Sequence, residues 1–343
     1  MNSSKKHSRV AAVKVTMEPK LSSRKNNVRK PKHDVASFFA GCGGMDLGFL
    51  GGFDYMGVRV RKLPFNIVTA YDFNEKCVET YKRNIGGHAS VVDLAATNPK
   101  TMPAADVLIG GFPCQDFSSC GPKKGLASKR GRLYESLVEY MRLHQPKVVV
   151  AENVPHLAKL ADGSVLETIV RDLSSVGYRF EVWSLFAPDY GVPQSRTRLF
   201  FVGVRNDLDG APLKPKPSHV GNHRSIEWAI SDLESIADES VPNQSQYFLA
   251  SKAKKGNGQG DEVSKEGVPS YTVRANAKSR VQFHYRLPRR LTVRECARLQ
   301  TFPDKFVFPF SATTNVMQVG NAVPPLLAHH VAISISAFLR KSV

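Results

Sequence analysis

The chain has 343 residues, of which 42% are hydrophobic and 23% charged, the balance of a globular protein with one large domain and a smaller one. It has no run of about 18 consecutive apolar residues to span a membrane, and its polar, basic N-terminus has no apolar signal-peptide core. A formal net charge of +18 asks for a polyanionic partner, most commonly nucleic acid, while five cysteines without paired spacing exclude a disulfide framework and a zinc site.

Residues 1–34 carry ten Lys or Arg against two acids and little apolar content, so they read as a disordered basic arm. Val35-Ala36-Ser37-Phe38-Phe39 is a short apolar strand, and Ala40-Gly41-Cys42-Gly43-Gly44 is a tight glycine loop before a helix-like segment. The loop is neither G-x-G-x-x-G nor a P-loop, which disfavours a dinucleotide or a nucleoside triphosphate and leaves room for a cofactor without phosphate. A second strand, Phe65 to Tyr71, ends in Asp72, where nucleotide-binding folds keep an acid for ribose hydroxyls. A helix over Glu75–Asn84 and a strand over Ala89–Val92, ending in Asp93, continue the alternation that predicts a doubly wound, mostly parallel α/β sheet.

The next strand, Ala105–Ile109, leads into Gly110-Gly111-Phe112-Pro113-Cys114-Gln115; another, Lys147–Ala151, leads into Glu152-Asn153-Val154. Ligands in open α/β sheets sit outside the carboxyl ends of the strands, so Cys114 and Glu152 are expected to face one pocket. A thiolate that attacks and a carboxylic acid that gives a proton suit addition to an electron-poor ring. The segment Asp116–Arg132, rich in Ser, Gly, Lys and Arg, is predicted to be a mobile loop closing over a substrate. His156, His219, His223, His284, His329 and His330 have no ligand spacing with Cys or Asp, so no metal is expected; Trp183 and Trp228 read as core or interface.

Taken in order, Phe39-Ala40-Gly41-x-Gly43-Gly44, Gly111-Phe112-Pro113-Cys114-Gln115, Glu152-Asn153-Val154, Gln194-Ser195-Arg196-Thr197-Arg198, the segment Arg290–Pro303 and Gln318-Val319-Gly320-Asn321-Ala322-Val323-Pro324-Pro325 resemble the motifs of the DNA (cytosine-5)-methyltransferases of bacterial restriction-modification type. The match runs from Val35 to the C-terminus except for about residues 206–286. The resemblance implies S-adenosyl-L-methionine as cofactor and a Rossmann-like methyltransferase fold with a smaller target-recognition domain. It places Phe39, Ala40, Gly41, Gly43, Gly44, Asp72, Phe73, Asp93, Pro113 and Asn321 at the cofactor, and Gln115 and Ser118 at the substrate. Cys114 would be the nucleophile on C6 of a cytosine flipped out of the duplex, and Glu152 the acid at N3. Arg198 would be the donor to O2, and Arg196 would either meet a phosphate or support the site.

The expected organisation is an arm over 1–34, a catalytic and cofactor-binding part over 35–205, target recognition over 206–311, and a segment over 312–343 returning to the catalytic part. Within the recognition part, Arg274, Asn276, Arg280 and Gln282 are of the residue types that read base edges, and that equally bind phosphates. The expected partners are double-stranded DNA and a cognate restriction endonuclease, for a monomer acting in the cytoplasm. Two other functions share these features: an RNA cytosine methyltransferase, against which the sizeable recognition segment argues, and a non-catalytic nucleic-acid binder, against which the intact Cys114 and Glu152 argue.

Overall fold

The computed structural model describes residues 33–113, 133–247, 262–275 and 282–341. The basic arm, Cys114, Gln115, Ser118, the segment predicted to close, Asn276 and Arg280 lie outside the described residues.

The strands that build the main sheet are β1 (His33–Phe38), β4 (Phe65–Asp72), β5 (Ala89–Val91), β6 (Val107–Gly111), β7 (Val148–Asn153), β8 (Tyr178–Phe186) and β9 (Thr197–Arg205); β2 (Asp54–Tyr55) and β3 (Val58–Arg59) form a separate small hairpin. Their order is β5-β4-β1-β6-β7-β9-β8. All neighbours are parallel except β9, which runs antiparallel to β7 and β8. The fold is thus mixed α/β with a mostly parallel sheet, as the alternating pattern predicts. The chain builds outward from β1 through β4 to β5, then returns to lay β6 on the other flank of β1. That reversal opens a crevice at the carboxyl ends of β1 and β6, where ligands of such sheets bind.

Alternate side chains of each strand face two different layers. On one face Val35, Ile67, Ile109, Val150 and Val202 meet α1 (Gly44–Leu50) and the C-terminal helix α8 (Pro325–Leu339). On the other, Ala36, Phe38, Leu108, Val149 and Phe201 meet α3 (Glu135–His144) and α4 (Ser164–Ser174). Helix α2 (Glu75–Asn84) matches its expected span and begins at Asn74, whose side chain accepts from the Lys76 and Cys77 amides. Strand β6 starts two residues later than expected; just before it, the Asp106 carboxylate accepts from the Asp34 amide and pairs with Lys147 at 3.0 Å.

A third apolar cluster joins α5 (Ile226–Ile230), Val273, α6 (Val293–Leu299), Phe302, Phe306, Phe308 and Val319 of α7 (Ala312–Asn321). Beside it, Gln282 and Phe283 (β11) pair with Glu262 and Val263 (β10). Helix α6 opens on a capping box in which the Thr292 side chain and the Glu295 side chain each take the other's backbone amide. Glu295 also receives a two-pronged bond from Arg289 at 2.7 and 2.8 Å. The stretch Ala312–Leu339 is long and apolar enough to cross a membrane, but 72% of its apolar 18-residue core is buried inside the protein.

Candidate active site

The carboxyl end of β6 lies in register with that of β7, pairing Gly111 with Glu152. A Cβ on Gly111 would stand 3.0 Å from the Glu152 Oε2, so the glycine leaves the space the carboxylate occupies. Phe112 is buried against Phe201, with ring centroids 5.8 Å apart. Its carbonyl accepts the Asn153 Nδ2 at 3.0 Å, while the Asn153 Oδ1 accepts the Val154 amide at 2.8 Å. Asn153 therefore staples the stretch Phe112-Pro113, which leads directly to Cys114, onto the strand that carries Glu152.

Glu152 is buried and its Oε1 pairs with the Arg198 Nε at 2.7 Å. Arg198 stands at the start of β9, two residues from the position opposite Glu152, and its Nη1 also donates to the Thr197 carbonyl at 2.7 Å. Burial pushes the Glu152 carboxyl upward, against the pull of Arg198 and Arg196, so the net direction is up. Desolvation thus brings the group toward the neutral form that donates a hydrogen, while the guanidinium keeps it oriented.

Arg196 is only 2% exposed, and its guanidinium is spent on the carbonyls of Val273, Gly320 and Ala322 at 3.0, 2.8 and 3.2 Å. It has no face for a phosphate, and its contacts are those of a support. Gln194, equally buried, donates to the Leu299 carbonyl and the Gln300 side chain and accepts the Val273 amide. The two side chains lash the segment holding Arg274 and the end of α7 to the strand that carries Arg198. Among the expected base readers, Arg274 is half-buried with Glu262 at 3.9 Å, whereas Gln282 is 7% exposed in β11, which turns its amide inward, away from any base edge.

Phe39 adopts φ 54°, which costs a residue with a side chain roughly 1 kcal/mol, and Ala40 is tied by its amide to the Tyr71 carbonyl at 2.9 Å. Gly43 turns at φ 90° against the Tyr81 ring, where a Cβ would lie within 2.8 Å of ring carbon. At the end of β4, Asp72 accepts the Gly41 amide at 2.8 Å and the Asn74 amide at 2.9 Å, and burial raises its carboxyl. Phe73 next to it leaves 71% of its surface exposed, an apolar ring on which no described aromatic residue stacks. Asp93 is exposed beyond β5 and its carboxylate accepts the Ala95 amide. Asn321 is exposed too, but it lies between Gly320 and Ala322, whose carbonyls Arg196 holds, and the neighbouring Val323 carbonyl comes within 2.4 Å of where a Gly44 Cβ would stand. The C-terminal segment thus reaches the glycine loop. The residues present fit S-adenosylmethionine: an acid beside an exposed aromatic ring, a loop that tolerates close backbone approach, and an exposed amide on the segment that reaches that loop.

The seven-stranded sheet with its antiparallel β9 and the site at its carboxyl edge define an S-adenosylmethionine-type α/β methyltransferase architecture. Residues 33–337 match the family described as C-5 cytosine-specific DNA methylase, and the chain belongs to that family, whose methyl donor is S-adenosylmethionine; it is a DNA (cytosine-5)-methyltransferase. It is 32% identical to the type II methyltransferase M.BspRI of Lysinibacillus sphaericus, over 93% of this chain and 85% of that one. It is also 32% identical to the type II methyltransferase M.NgoFVII of Neisseria gonorrhoeae, over 93% and 90%. Among solved structures, the S. pombe Dnmt2 methyltransferase superposes with a TM-score of 0.65 at 19% identity, over 90% of this chain and 99% of that one. The Entamoeba histolytica methyltransferase EhMeth gives 0.68 at 16%, over 89% and 98%. These last two likenesses concern the fold.

Proposed function

We propose that this chain methylates C5 of one cytosine, flipped out of a short specific duplex sequence, through a covalent bond between the Cys114 sulfur and C6. The observation that carries the reading is the buried Glu152–Arg198 pair at 2.7 Å, set beside the Gly111-Phe112-Pro113 stretch that delivers Cys114. S-adenosylmethionine, when bound, supplies an electrophilic methyl group. Cytosine C5 is too poor a nucleophile to take it unaided. The Cys114 thiolate adds to C6 and the ring electrons move to C5, which splits one hard step into easier ones. Glu152 protonates or hydrogen-bonds N3, so the ring carries no full negative charge during the attack. Arg198 donates to O2 and holds the carboxyl in line. After C5 is methylated, its proton leaves to a base, the C5–C6 double bond re-forms, and the thiolate departs. Phe73 would stack on the adenine, Asp72 would bind the ribose, Gly41, Gly43 and Gly44 would pass the methionine part, and Asn321 would close the pocket.

Arg274 is the described residue best placed to meet bases in the recognition part, since its main chain rests on Gly320 of α7 and its guanidinium is half-exposed. The likeness to two type II methyltransferases supports a role in protecting self DNA beside a cognate restriction endonuclease. Bisulfite sequencing of plasmid DNA from cells expressing the chain, with Cys114→Ala as control, tests the reading. Conversion-resistant cytosines confined to one short sequence, and lost in the control, are expected. Full conversion in both samples would refute it.

A further inference from the structure

In the recognition part the main chain at Arg274 is fixed from two sides. The Val273 amide donates to the Gln194 Oε1 and the Val273 carbonyl accepts the Arg196 Nη1, each at 3.0 Å. On the other side a Cβ on Gly320 would stand 2.4 Å from the Arg274 carbonyl carbon, so α7 closes on that main chain without a gap. The side chain is the free part. Its Nη2 lies 3.9 Å from the Glu262 Oε2, beyond hydrogen-bond distance, and its Nη1 has no hydrogen-bond partner among the described residues. The two side chains keep 34% and 35% of their surface exposed, enough for a ligand to reach both.

Glu262 also stands on a tied strand. It pairs with Gln282 in the register of β10 on β11, and the Gln282 and Phe283 carbonyls accept the Leu291 and Ser264 amides. Residues paired across neighbouring strands share one face of the sheet, so Gln282 is on the face of Glu262. Its side chain is buried, and neither amide atom has a hydrogen-bond partner among the described residues. A cation, an anion and an amide therefore share this corner, a setting for hydrogen bonds and not for the methyl group that marks thymine.

We propose that Arg274 and Glu262 together read one G·C base pair in the major groove, with Glu262 a specificity-determining residue, an inference that rests on the reading of Arg274 as a base contact. An arginine fork needs two acceptors side by side, and guanine offers them in O6 and N7. The next group across that pair is the N4 amino group of cytosine, a donor that a carboxylate accepts. Adenine sets an amino donor where guanine has O6, so an A·T pair meets the arginine with a donor against a donor. A phosphate answers Arg274 as well as a base does, but it brings a second negative charge up to Glu262. The carboxylate thus turns the arginine from the backbone to the base edge by penalising the wrong partner.

Once bisulfite sequencing has given the methylated site, single-turnover methyl transfer is measured on duplexes in which each base pair of that site is exchanged in turn. Arg274→Ala and Glu262→Ala are both expected to flatten a preference of about 10- to 100-fold at the same single G·C pair and to leave the other positions unchanged. Each preference is a ratio of rates within one variant, so a general loss of stability cancels, and fluorescence anisotropy on the same duplexes reads the ratio for a variant too slow to turn over. Glu262→Gln, which keeps an acceptor for the cytosine amino group, should hold the preference within about threefold. Deazaguanine lacking N7 in that pair should slow the unaltered protein and leave Arg274→Ala unaffected. Glu262→Ala should also steepen the salt dependence of binding to an unrelated duplex, because Arg274 is released to phosphates. A preference that Glu262→Ala leaves unchanged at every position, or that it flattens at an A·T pair or at a different pair from Arg274→Ala, overturns the proposal. An equal loss on all duplexes in Arg274→Ala makes that residue a phosphate contact, and overturns the base-contact reading and the proposal with it.

Discussion

Asn153 offers the sharpest test of how the two strand ends are held together. Replacing it by alanine removes two hydrogen bonds, the buried one its Nδ2 gives to the Phe112 carbonyl at 3.0 Å and the partly buried one its Oδ1 takes from the Val154 amide at 2.8 Å. A buried polar group left without a partner costs about 1–3 kcal/mol. Val154 is only partly buried, and water satisfies some of that loss, so the sum should fall near 2–4 kcal/mol. The second consequence is catalytic. The Phe112 carbonyl stands two residues before Cys114, and a displacement of about 1 Å at a reacting group costs roughly a hundredfold in rate. Urea denaturation of Asn153→Ala should therefore show a lowered midpoint, and single-turnover methyl transfer should slow by about 10- to 100-fold. Asn153→Asp separates the two bonds: it keeps the acceptor for Val154 but sets a carboxylate oxygen against the Phe112 carbonyl. It should thus harm turnover at least as much as alanine does. If Asn153→Ala unfolds at the wild-type midpoint and transfers methyl at the wild-type rate, the stapling argument is wrong.

Three further outcomes follow from the same structure. Glu152→Gln keeps the shape and a hydrogen-bond donor but no transferable proton, so kcat should drop about 10²- to 10⁴-fold in a tritium-transfer assay; the alkaline fall in kcat set by the raised Glu152 carboxyl should vanish, and an unaltered pH profile would argue against Glu152 as the acid. Because the folded protein holds the proton of Asp46 more tightly than the unfolded chain, that residue's contribution to stability declines as pH rises from about 4 to about 6. Asp46→Asn should therefore gain on wild type by up to about 3 kcal/mol between those limits in chemical denaturation, and a pH-independent difference would show that no buried charge was removed. Gly48→Ala would set a Cβ 2.5 Å from the Pro325 carbonyl and the Ala328 Cβ, so separation of α1 from α8 should cost about 1–3 kcal/mol by thermal unfolding; an unshifted midpoint would mean the two helices part freely.

The inner strands β1, β6 and β7 were legible in the sequence because they are apolar runs, the pattern of strands buried on both faces, whereas the edge strand β8 alternates exposed and buried residues and was not among the expected strands. Even the strand ends proposed to carry chemistry are visible: Asp72, Gly111 and Glu152 each end such a run, and the structure sets them at the carboxyl ends of parallel strands. What the chain order conceals is which polar side chains turn inward. Arg196 and Arg198 are two residues apart on the way into β9 and look alike on paper. Yet one spends its guanidinium on carbonyls from residues 273, 320 and 322, while the other faces Glu152. The Arg196 partners lie 77 or more residues away and Glu152 lies on a different strand from Arg198, so no local pattern could assign them. The burial of Asp46 and of Gln282, the latter expected to read a base edge, was hidden for the same reason, since a polar residue is buried by what packs over it. Arg294 makes the point most fully. It has no exposed surface, and its guanidinium meets the carbonyls of Pro242, Pro303 and Phe306 at 2.7, 3.0 and 2.6 Å. It thereby closes three turns around one cation where a surface helix would show a solvated arginine. Buried arginines therefore fasten the chain around residues 242, 273, 303, 306, 320 and 322 to itself and to β9, so exposed side chains on those segments can vary without moving Glu152 or Arg198.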